Sequence, residues 1–381
     1  MPEHPRLAPA GVAPASPLPA APVVPPAPYP SPAEPPATGF TLVTLFGAVL
    51  MLYGLGFLLT GAVSPWVWGA PFWRVGLDLM FSAAGYLAVR AWFEPPAPLR
   101  AASARRVGGR AAGLLAGYAA CVVFTAFVIG PLSSPLPLRS FLFSPVTRLY
   151  LHNLAFQSQL FLPGAFRGLQ WNSAVNPMLD EARLLAACLV AVPILELAPA
   201  RLRRTIIALA GLASAAAYLW LFTHPGLVHR VLFMDGRDVY AEIPFFCVGA
   251  LLAGLDSRPA AWRTDLAMMF FALNWGVAAW FSQWNIVVEW LTLPYMAACF
   301  GRMTLPGTTA LRRRFGDPTL GVFLYAFPLQ QLVVLRLPGH LAHGILLCAV
   351  PVALAGLLSW QIVERPAALI ATRLLFRPVA S

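Results

Sequence analysis

Residues 73–110 read WRVGLDLMFSAAGYLAVRAWFEPPAPLRAASARRVGGR, an apolar segment with one carboxylate inside it, followed by four arginines. An ionisable side chain in hydrocarbon is energetically costly and usually serves a function, so Asp78 is a candidate functional residue. Arginines concentrate in cytoplasmic loops, and these four therefore predict a short cytoplasmic loop after the segment. The stretch predicts a membrane-spanning helix that carries part of a polar site.

The composition of the whole chain also indicates a membrane protein. Of its 381 residues, 59% are hydrophobic and 11% are charged, whereas soluble domains carry about one quarter charged residues. The formal charge of +11 does not indicate nucleic-acid binding, because the arginines form short clusters between apolar runs rather than one basic face. We predict an all-α fold, a polytopic bundle of transmembrane helices whose partner is the lipid bilayer.

The apolar runs predict about ten transmembrane helices. Arginine clusters follow every second segment, which predicts that both termini are cytoplasmic. The segments are residues 40–62, 74–93, 111–132, 181–198, 205–223, 240–255, 266–282, 286–301, 318–336 and 343–363.

The two ends of the chain differ from the apolar middle. Residues 1–39 hold 14 of the 38 prolines, interleaved with alanine, and are predicted to form a disordered cytoplasmic tail. The transmembrane domain is predicted to cover residues 40–370. Residues 371–381 are predicted to be a second cytoplasmic tail.

Several carboxylates lie at or inside the predicted segments, and each has two interpretations. Asp78 either contributes to a site or pairs with Arg74 one helical turn away. Asp180 and Glu181 open the fourth segment, where carboxylates also favour a helix N-terminus through its dipole. The others are Glu196, Glu242 and Glu289. Glu289 is the most deeply intramembrane of these, and either faces a polar cavity or pairs with an arginine.

No metal site is predicted. Each of the five cysteines lies alone in an apolar run, and no histidine falls in the middle of a predicted segment. His340 and His343 have a spacing that suits two ligands, but no third ligand accompanies them. The chain also lacks the glycine-rich nucleotide loop and the HExxH pattern of metalloproteases.

Six stretches, taken in order, resemble motifs of the membrane-bound acyltransferase-3 family. They are GLDLMFSAAGYL (76–87), RRVGGRAAGLLAGY (105–118), NSAVNPMLDE (172–181), FFCVGALLA (245–253), FGDPTLGVFLYAFPLQQ (315–331) and SWQIVERP (359–366). The last of these is the most specific. The resemblance covers residues 40–370 and implies a multi-pass protein of the bacterial inner membrane that O-acylates cell-surface carbohydrates.

The resemblance implies substrates and site residues as well. An acyl donor, usually acetyl-CoA, is expected to arrive from the cytoplasm, and its phosphates are expected to meet arginines. These arginines are Arg105, Arg106 and Arg110. The carbohydrate acceptor is expected to meet Tyr118, Asn172, Asn176 and Asp180.

The chain departs from the family pattern at positions that bear on catalysis. The family's first-span histidine, the expected base, falls at Gly54, and its ninth-span histidine falls at Ala326. The other replaced positions are Ala84, Asn176 and Gly113, where the family has a serine, a tryptophan and an arginine. Since hydroxyl activation needs a base, the candidates for that role are Glu181, Asp78 and His152.

The sequence is compatible with three functions. The first is an active acyltransferase that transfers an acyl group, expected to be acetyl, to a carbohydrate hydroxyl through a rearranged site. The second is a catalytically silent protein of the same fold that acts as a scaffold or binding protein in envelope or polysaccharide assembly. The third is a transporter or flippase for a lipid-linked glycan. The fold alone does not distinguish them.

Overall fold

The computed structural model describes residues 39–93, 100–169, 174–281, 284–303, 310, 314–337 and 341–375. Residues 1–38, which hold nearly all of the predicted proline-rich tail, lie outside this description. Of the predicted C-terminal tail, residues 371–375 continue a helix, and residues 376–381 lie outside the described residues.

Helices dominate the described residues, and the ten long ones follow the predicted segments in order. They are α1 (Gly39–Thr60), α2 (Phe72–Val89), α3 (Arg100–Phe124), α7 (Met178–Leu195), α8 (Ala200–Thr223), α9 (Gly236–Ala253), α10 (Thr264–Phe281), α11 (Asn285–Gly301), α12 (Thr319–Arg336) and α13 (Leu341–Ser359). The short helices are α4 (Gly130–Ser133), α5 (Leu138–Leu142), α6 (Pro145–Tyr150) and α14 (Arg365–Leu375). Two π-helical turns, Thr125–Ile129 and Trp360–Glu364, join α3 to α4 and α13 to α14.

Five helical stretches in the described chain are long and apolar enough to cross a membrane. They are Gly39–Thr60, Val107–Ser133, Ala200–Thr223, Thr319–Arg336 and Ile345–Leu374. The chain is therefore mainly helical with several candidate membrane spans, and the predicted fold class is confirmed to that extent.

The arginine-rich stretch after α2 differs from the expected loop. Residues 94–99 lie outside the described residues, and from Arg100 onward the chain is helical, so that Arg110 lies within α3. Residues 100–106 consist of alanine, arginine and one serine, and alanine and arginine are strong helix formers. Helix propensity therefore extends the third helix beyond its apolar segment.

Helix α2 lies at the centre of the bundle and packs against α1, α9 and α11. Its residues from Val75 to Val89 are nearly all buried. Small residues allow the closest approach, because a Cβ added at Gly85 would overlap the carbonyl of Phe246, and one added at Gly249 would overlap the carbonyl of Ser82. Such glycine contacts bring the backbones of membrane helices close together.

Helices α2 and α9 each begin directly after a tight β-hairpin. The strands are β1 (Trp66–Val67), β2 (Ala70–Pro71), β3 (Arg230–Val231) and β4 (Met234–Asp235), and β1 pairs antiparallel with β2 as β3 does with β4. Both two-residue turns have positive φ, at Trp68 and Gly69 and at Leu232 and Phe233, as type I′ hairpins require. The seventh residue of each following helix is a carboxylate, Asp78 in α2 and Glu242 in α9.

A polar cluster fixes the opposite end of α2. The hydroxyl of Tyr86 donates to Asp256 at 2.7 Å, and Nε of Arg90 contacts the same carboxylate at 2.9 Å. Arg302 also pairs with Asp256, and its guanidinium lies 4.8 Å from the ring centre of Trp262. This cluster ties α2, α11 and the connection after α9 together.

Candidate active site

The first two turns of α2, α9 and α11 bring charged side chains together at one end of the bundle. Arg74 lies in the first turn of α2, and its Nε is 3.3 Å from Oδ1 of Asp78 one turn later. The Nη2 atom of Arg74 is 2.5 Å from Oε1 of Glu242 in α9. The side chains of Asp78 and Glu242 are almost fully buried, with 2% and 0% exposure. One guanidinium therefore joins two carboxylates from two helices.

A second polar pair extends the site into α11. Nδ2 of Asn285 donates to Oε1 of Glu289 at 2.6 Å, and the same amide also donates to the carbonyl of Trp68 in the first hairpin. Asn285 and Glu289 are 2% and 3% exposed. The hairpin turn thus orients the amide, and the amide orients the carboxylate.

A cavity of about 490 Å³ opens beside these groups. Its polar lining residues are Arg74, Asp78, Tyr218, Arg237, Asp238, Asn285 and Glu289, and its large apolar lining residues are Trp66, Trp68, Trp73, Phe222 and Ile286. The volume is within the range of pockets that bind small molecules. Aromatic faces combined with a few convergent hydrogen-bonding groups suit a polar ligand with an apolar side.

Three buried polar atoms in the cavity lining lack a hydrogen-bond partner among the described residues. They are the indole nitrogen of Trp68, Oδ1 of Asn285 and Nη2 of Arg74, and the last of these lies in the ion pair with Glu242. Buried polar groups in folded proteins are nearly always hydrogen-bonded, and an unpaired one is destabilising. The Trp68 atom is a donor and the Asn285 atom an acceptor, and ligand hydroxyl groups pair with both kinds.

The site gathers several carboxyl groups around one cation. Asp78 and Glu242 are buried against Arg74, whose single positive charge balances only one of them, and Glu289 is buried in α11 beside the same cavity. The amino-terminal end of α9 adds positive partial charge next to Asp238, which lies in its first turn. The arrangement keeps carboxylates inside the bundle that would otherwise be strongly destabilising.

The three candidate bases from the sequence lie in different surroundings. Asp78 lines the cavity and pairs with Arg74, so the pairing is confirmed, and a contribution to a functional site stays a prediction. Glu181 is in the first turn of α7, and one of its carboxyl oxygens is buried without a hydrogen-bond partner among the described residues. His152 is exposed in the connection between α6 and α7 and does not line this cavity.

The predicted acceptor residues lie around the start of α7 rather than in the cavity. The carboxylate of Asp180 accepts from Ser158 at 2.9 Å and pairs with Arg183. Partial burial raises the pKa of Asp180, and Arg183 opposes that rise. Nδ2 of Asn176 donates to the carbonyl of Leu324 at 2.9 Å, which joins the start of α7 to α12.

Tyr118 also has a role outside the cavity. It is buried, its hydroxyl donates to the carbonyl of Asn153 at 3.0 Å, and its ring stacks on Phe156. The fourth predicted acceptor residue, Asn172, lies outside the described residues. Tyr118 and Asn176 thus stabilise the connection between α3 and α7.

The predicted donor arginines lie in the first half of α3. Arg110 is exposed and donates to the carbonyl of Leu87 at 3.2 Å, near the end of α2 that is remote from Arg74. The side chains of Arg105 and Arg106 lie outside the described residues. Arg110 does not line the cavity.

Packing explains two of the positions that depart from the family pattern. A Cβ at Gly54 would lie 2.6 Å from the backbone nitrogen of Trp73, so the start of α2 fills the space that a first-span histidine needs. A Cβ at Gly113 would lie 3.1 Å from the carbonyl of Glu364. The helix contacts at these two positions admit only glycine without rearrangement.

The closing stretch SWQIVERP forms the π-helical turn between α13 and α14. The hydroxyl of Ser359 donates to Oε1 of Glu364 at 2.6 Å inside the bundle, and the ring of Trp360 covers Gly316, whose φ is +82°. Because these contacts join the ends of three helices, the most specific of the resembling stretches has a structural role.

The sequence reveals the site only in part. Asp78 and Glu289 stand out as carboxylates in apolar segments, and both line the cavity. Nothing in the sequence joins Arg74 to Glu242, which are far apart in the chain. The sequence also does not predict that Asn285 and Trp68 belong to the site, because an asparagine at a helix start and a tryptophan beside an apolar segment are both common.

No family model matches the chain, and no solved structure matches it. The chain is 28% identical over 182 residues to a protein of Shigella phage Sf6 named O-acetyl transferase, and the match covers 42% of this chain and 51% of that protein. The chain thus spans about half the length of this relative. The similarity supports a transferase role, and membership of the acyltransferase-3 family stays a prediction.

Proposed function

We propose that this protein is an integral membrane O-acetyltransferase that moves an acetyl group from acetyl-CoA to a carbohydrate hydroxyl. The carbohydrate binds in the cavity lined by Arg74, Asp78 and Glu289, which is called the outer cavity below. The observation that carries the proposal is a cavity that combines buried carboxylates with three tryptophans. Aromatic rings stack on the apolar faces of sugars, and carboxylates accept protons from hydroxyl groups. The name of the phage relative agrees with this chemistry.

The proposal includes the arrangement of the chain in a bacterial inner membrane. Ten spans with both termini in the cytoplasm put Arg105, Arg106 and Arg110 on the inner side, where acetyl-CoA is made. The same topology puts the amino-terminal ends of α2, α9 and α11 on the outer side with the acceptor.

The reaction needs a base for the attacking hydroxyl group. As the hydroxyl oxygen bonds to the acetyl carbon, its proton passes to a carboxylate, the carbon–sulfur bond breaks, and the sulfur of CoA finally takes up a proton. Glu289 suits this role, because its described partner is the neutral amide of Asn285. Asp78 is already paired with Arg74 and instead holds the guanidinium and its neighbours in position.

The direct test uses purified protein in sealed proteoliposomes, with labelled acetyl-CoA on one side and envelope glycans on the other. We expect labelled ester on the glycan, and we expect transfer to fail when donor and acceptor are both on the acceptor side. Replacing Arg106 and Arg110 by alanine should weaken acetyl-CoA binding in a salt-sensitive way. The matched control replaces the exposed Arg258 and Arg263.

The silent-scaffold function has one observation in its favour, namely that Trp73 fills the space of the family's first-span histidine. It predicts that no label leaves acetyl-CoA with any envelope glycan, while deletion of the protein still alters the envelope. These two results together would contradict the enzymatic proposal and support the scaffold function.

A further inference from the structure

We infer that the outer cavity selects a sugar ring that carries no negative charge, and that it discriminates against uronic acids and other acidic sugars at this position. The inference rests on the proposed function, since it names the class of acceptor that the same cavity takes. It is drawn from the charges and the unpaired polar atoms of the lining.

Three carboxylates face the cavity, one from each of three elements of the wall. Asp78 and Glu289 are buried in α2 and α11, and Asp238 lies in the first turn of α9 at the more exposed part of the lining. A ligand carboxylate would therefore lose its water beside other carboxyl groups. Burying a charge beside such groups without a compensating partner is strongly unfavourable.

The two arginines of the lining are already engaged and do not offset this charge. Arg74 pairs with Asp78 and with Glu242. The guanidinium of Arg237 donates to the carbonyls of Pro225 and Leu227, each at 3.0 Å, and so holds the connection between α8 and α9 in place. A carboxylate ligand would have to break one of these sets of contacts to gain a cation.

The unpaired polar atoms point to a neutral ligand as well. The indole nitrogen of Trp68 and Oδ1 of Asn285 belong to residues that are 6% and 2% exposed, and each lacks a hydrogen-bond partner among the described residues. Both groups are neutral, and a hydroxyl group pairs with each of them without any change in charge. Trp66, Trp73 and Phe222 supply apolar surface around these atoms.

The test compares matched pairs of methyl glycosides that differ only at C6. We would use the glucoside with the glucuronoside and the galactoside with the galacturonoside, and titrate each into the full-length protein in nanodiscs by calorimetry and saturation-transfer NMR. We expect the neutral member of at least one pair to bind about tenfold or more tightly than its acid. Equal affinity, tighter binding of the acids or no binding of any glycoside overturns the inference.

A charge variant separates electrostatic selection from shape. Asp238→Asn combined with Glu289→Gln keeps the size of the cavity and removes two of its carboxylates. The neutral-to-acid preference should fall to about threefold or less, whereas Asp265→Asn, at an exposed carboxylate outside the lining, should leave it unchanged. An unchanged preference in the double variant contradicts the inference.

The outcomes also separate this inference from the proposed function. A preference for neutral glycosides without any acetyl transfer removes the enzymatic proposal and keeps the selectivity. Transfer to a uronic acid residue at a rate equal to that of its neutral partner keeps the enzyme and removes the selectivity.

Discussion

Arg74 shows how one side chain holds the site together. It contacts a carboxylate one helical turn away and a second one on another helix, and both carboxylates are buried. Local pairing along a helix is visible in the sequence, whereas the contact with Glu242 exists only because α9 packs on α2.

Replacing Arg74 by methionine should lower the free energy of unfolding by about 3–5 kcal/mol, because two buried carboxylates lose their counter-ion. The measurement is a denaturation titration in detergent. Adding Glu242→Gln to this variant should restore part of the loss. Arg263→Met, which removes an exposed ion pair with Asp265, should change stability by no more than about 0.5 kcal/mol. Equal effects of the two methionine variants would contradict the role given to Arg74.

Glu289 carries the clearest prediction about catalysis. Glu289→Gln keeps the shape of the side chain and removes the base, so we expect kcat for acetyl transfer to fall by about 100-fold or more. Folding should be retained, as measured by thermal melting in detergent. Asp265→Asn makes the same kind of change at an exposed carboxylate and should leave kcat unaltered. A Glu289→Gln enzyme with normal kcat would return the base role to Asp78 or Glu181.

At the scale of elements, the close crossing of α2 and α9 sets the geometry of the site. Gly85 and Gly249 face the backbone of the opposite helix, and this approach brings the seventh residue of α9 within reach of Arg74 in α2. The two hairpins also set the geometry of the site, because each fixes the residue at which the following helix begins. Trp68 takes a positive φ in the first turn, and its carbonyl accepts from Asn285.

The crossing gives a prediction with a matched control. Gly249→Leu should destabilise the protein by about 3 kcal/mol or more, because the added side chain has no space beside the carbonyl of Ser82. Gly276→Leu makes the same substitution in α10, where a Cβ would meet no atom within 4 Å. Thermal unfolding in detergent should therefore separate the two variants. If Gly276→Leu is as harmful as Gly249→Leu, the leucine itself and not the crossing is responsible.

In the whole molecule, the side of the membrane on which each helix end lies decides whether the proposed transfer crosses the membrane. The cavity is lined by the amino-terminal ends of α2, α9 and α11, whereas Arg110 contacts the end of α2 that is remote from Arg74. Donor and acceptor groups are thus predicted on opposite faces of the bilayer.

Labelling with a membrane-impermeant maleimide tests this arrangement. Ala62→Cys, in the exposed connection after α1, should react in intact cells, and Ser257→Cys, in the exposed connection after α9, should react only after permeabilisation. Four of the native cysteines are buried and Cys188 is partly buried, so the parent protein serves as the background control. Reaction of both positions from the same side would refute the alternating topology.

The helical class and the order of the long helices follow from the sequence, because apolar runs in a bilayer must satisfy their backbone hydrogen bonds internally. It also indicated Asp78 and Glu289, since the cost of a carboxylate in an apolar segment depends only on local composition. The disordered tail, the cytoplasmic termini and the donor arginines stay predictions from sequence.

Which of these side chains come into contact depends on the packing of the helices and is not visible in the sequence. The contacts of Arg74 with Glu242, and of Asn285 with Trp68, join residues far apart in the chain, and their geometry depends on how closely the helices approach. The same packing fills the space at Gly54, a position where the resemblance implies a histidine and the sequence does not reveal what occupies its place. Helix formation follows from local chemistry, whereas the site follows from backbone distances that glycine contacts and hairpin turns set.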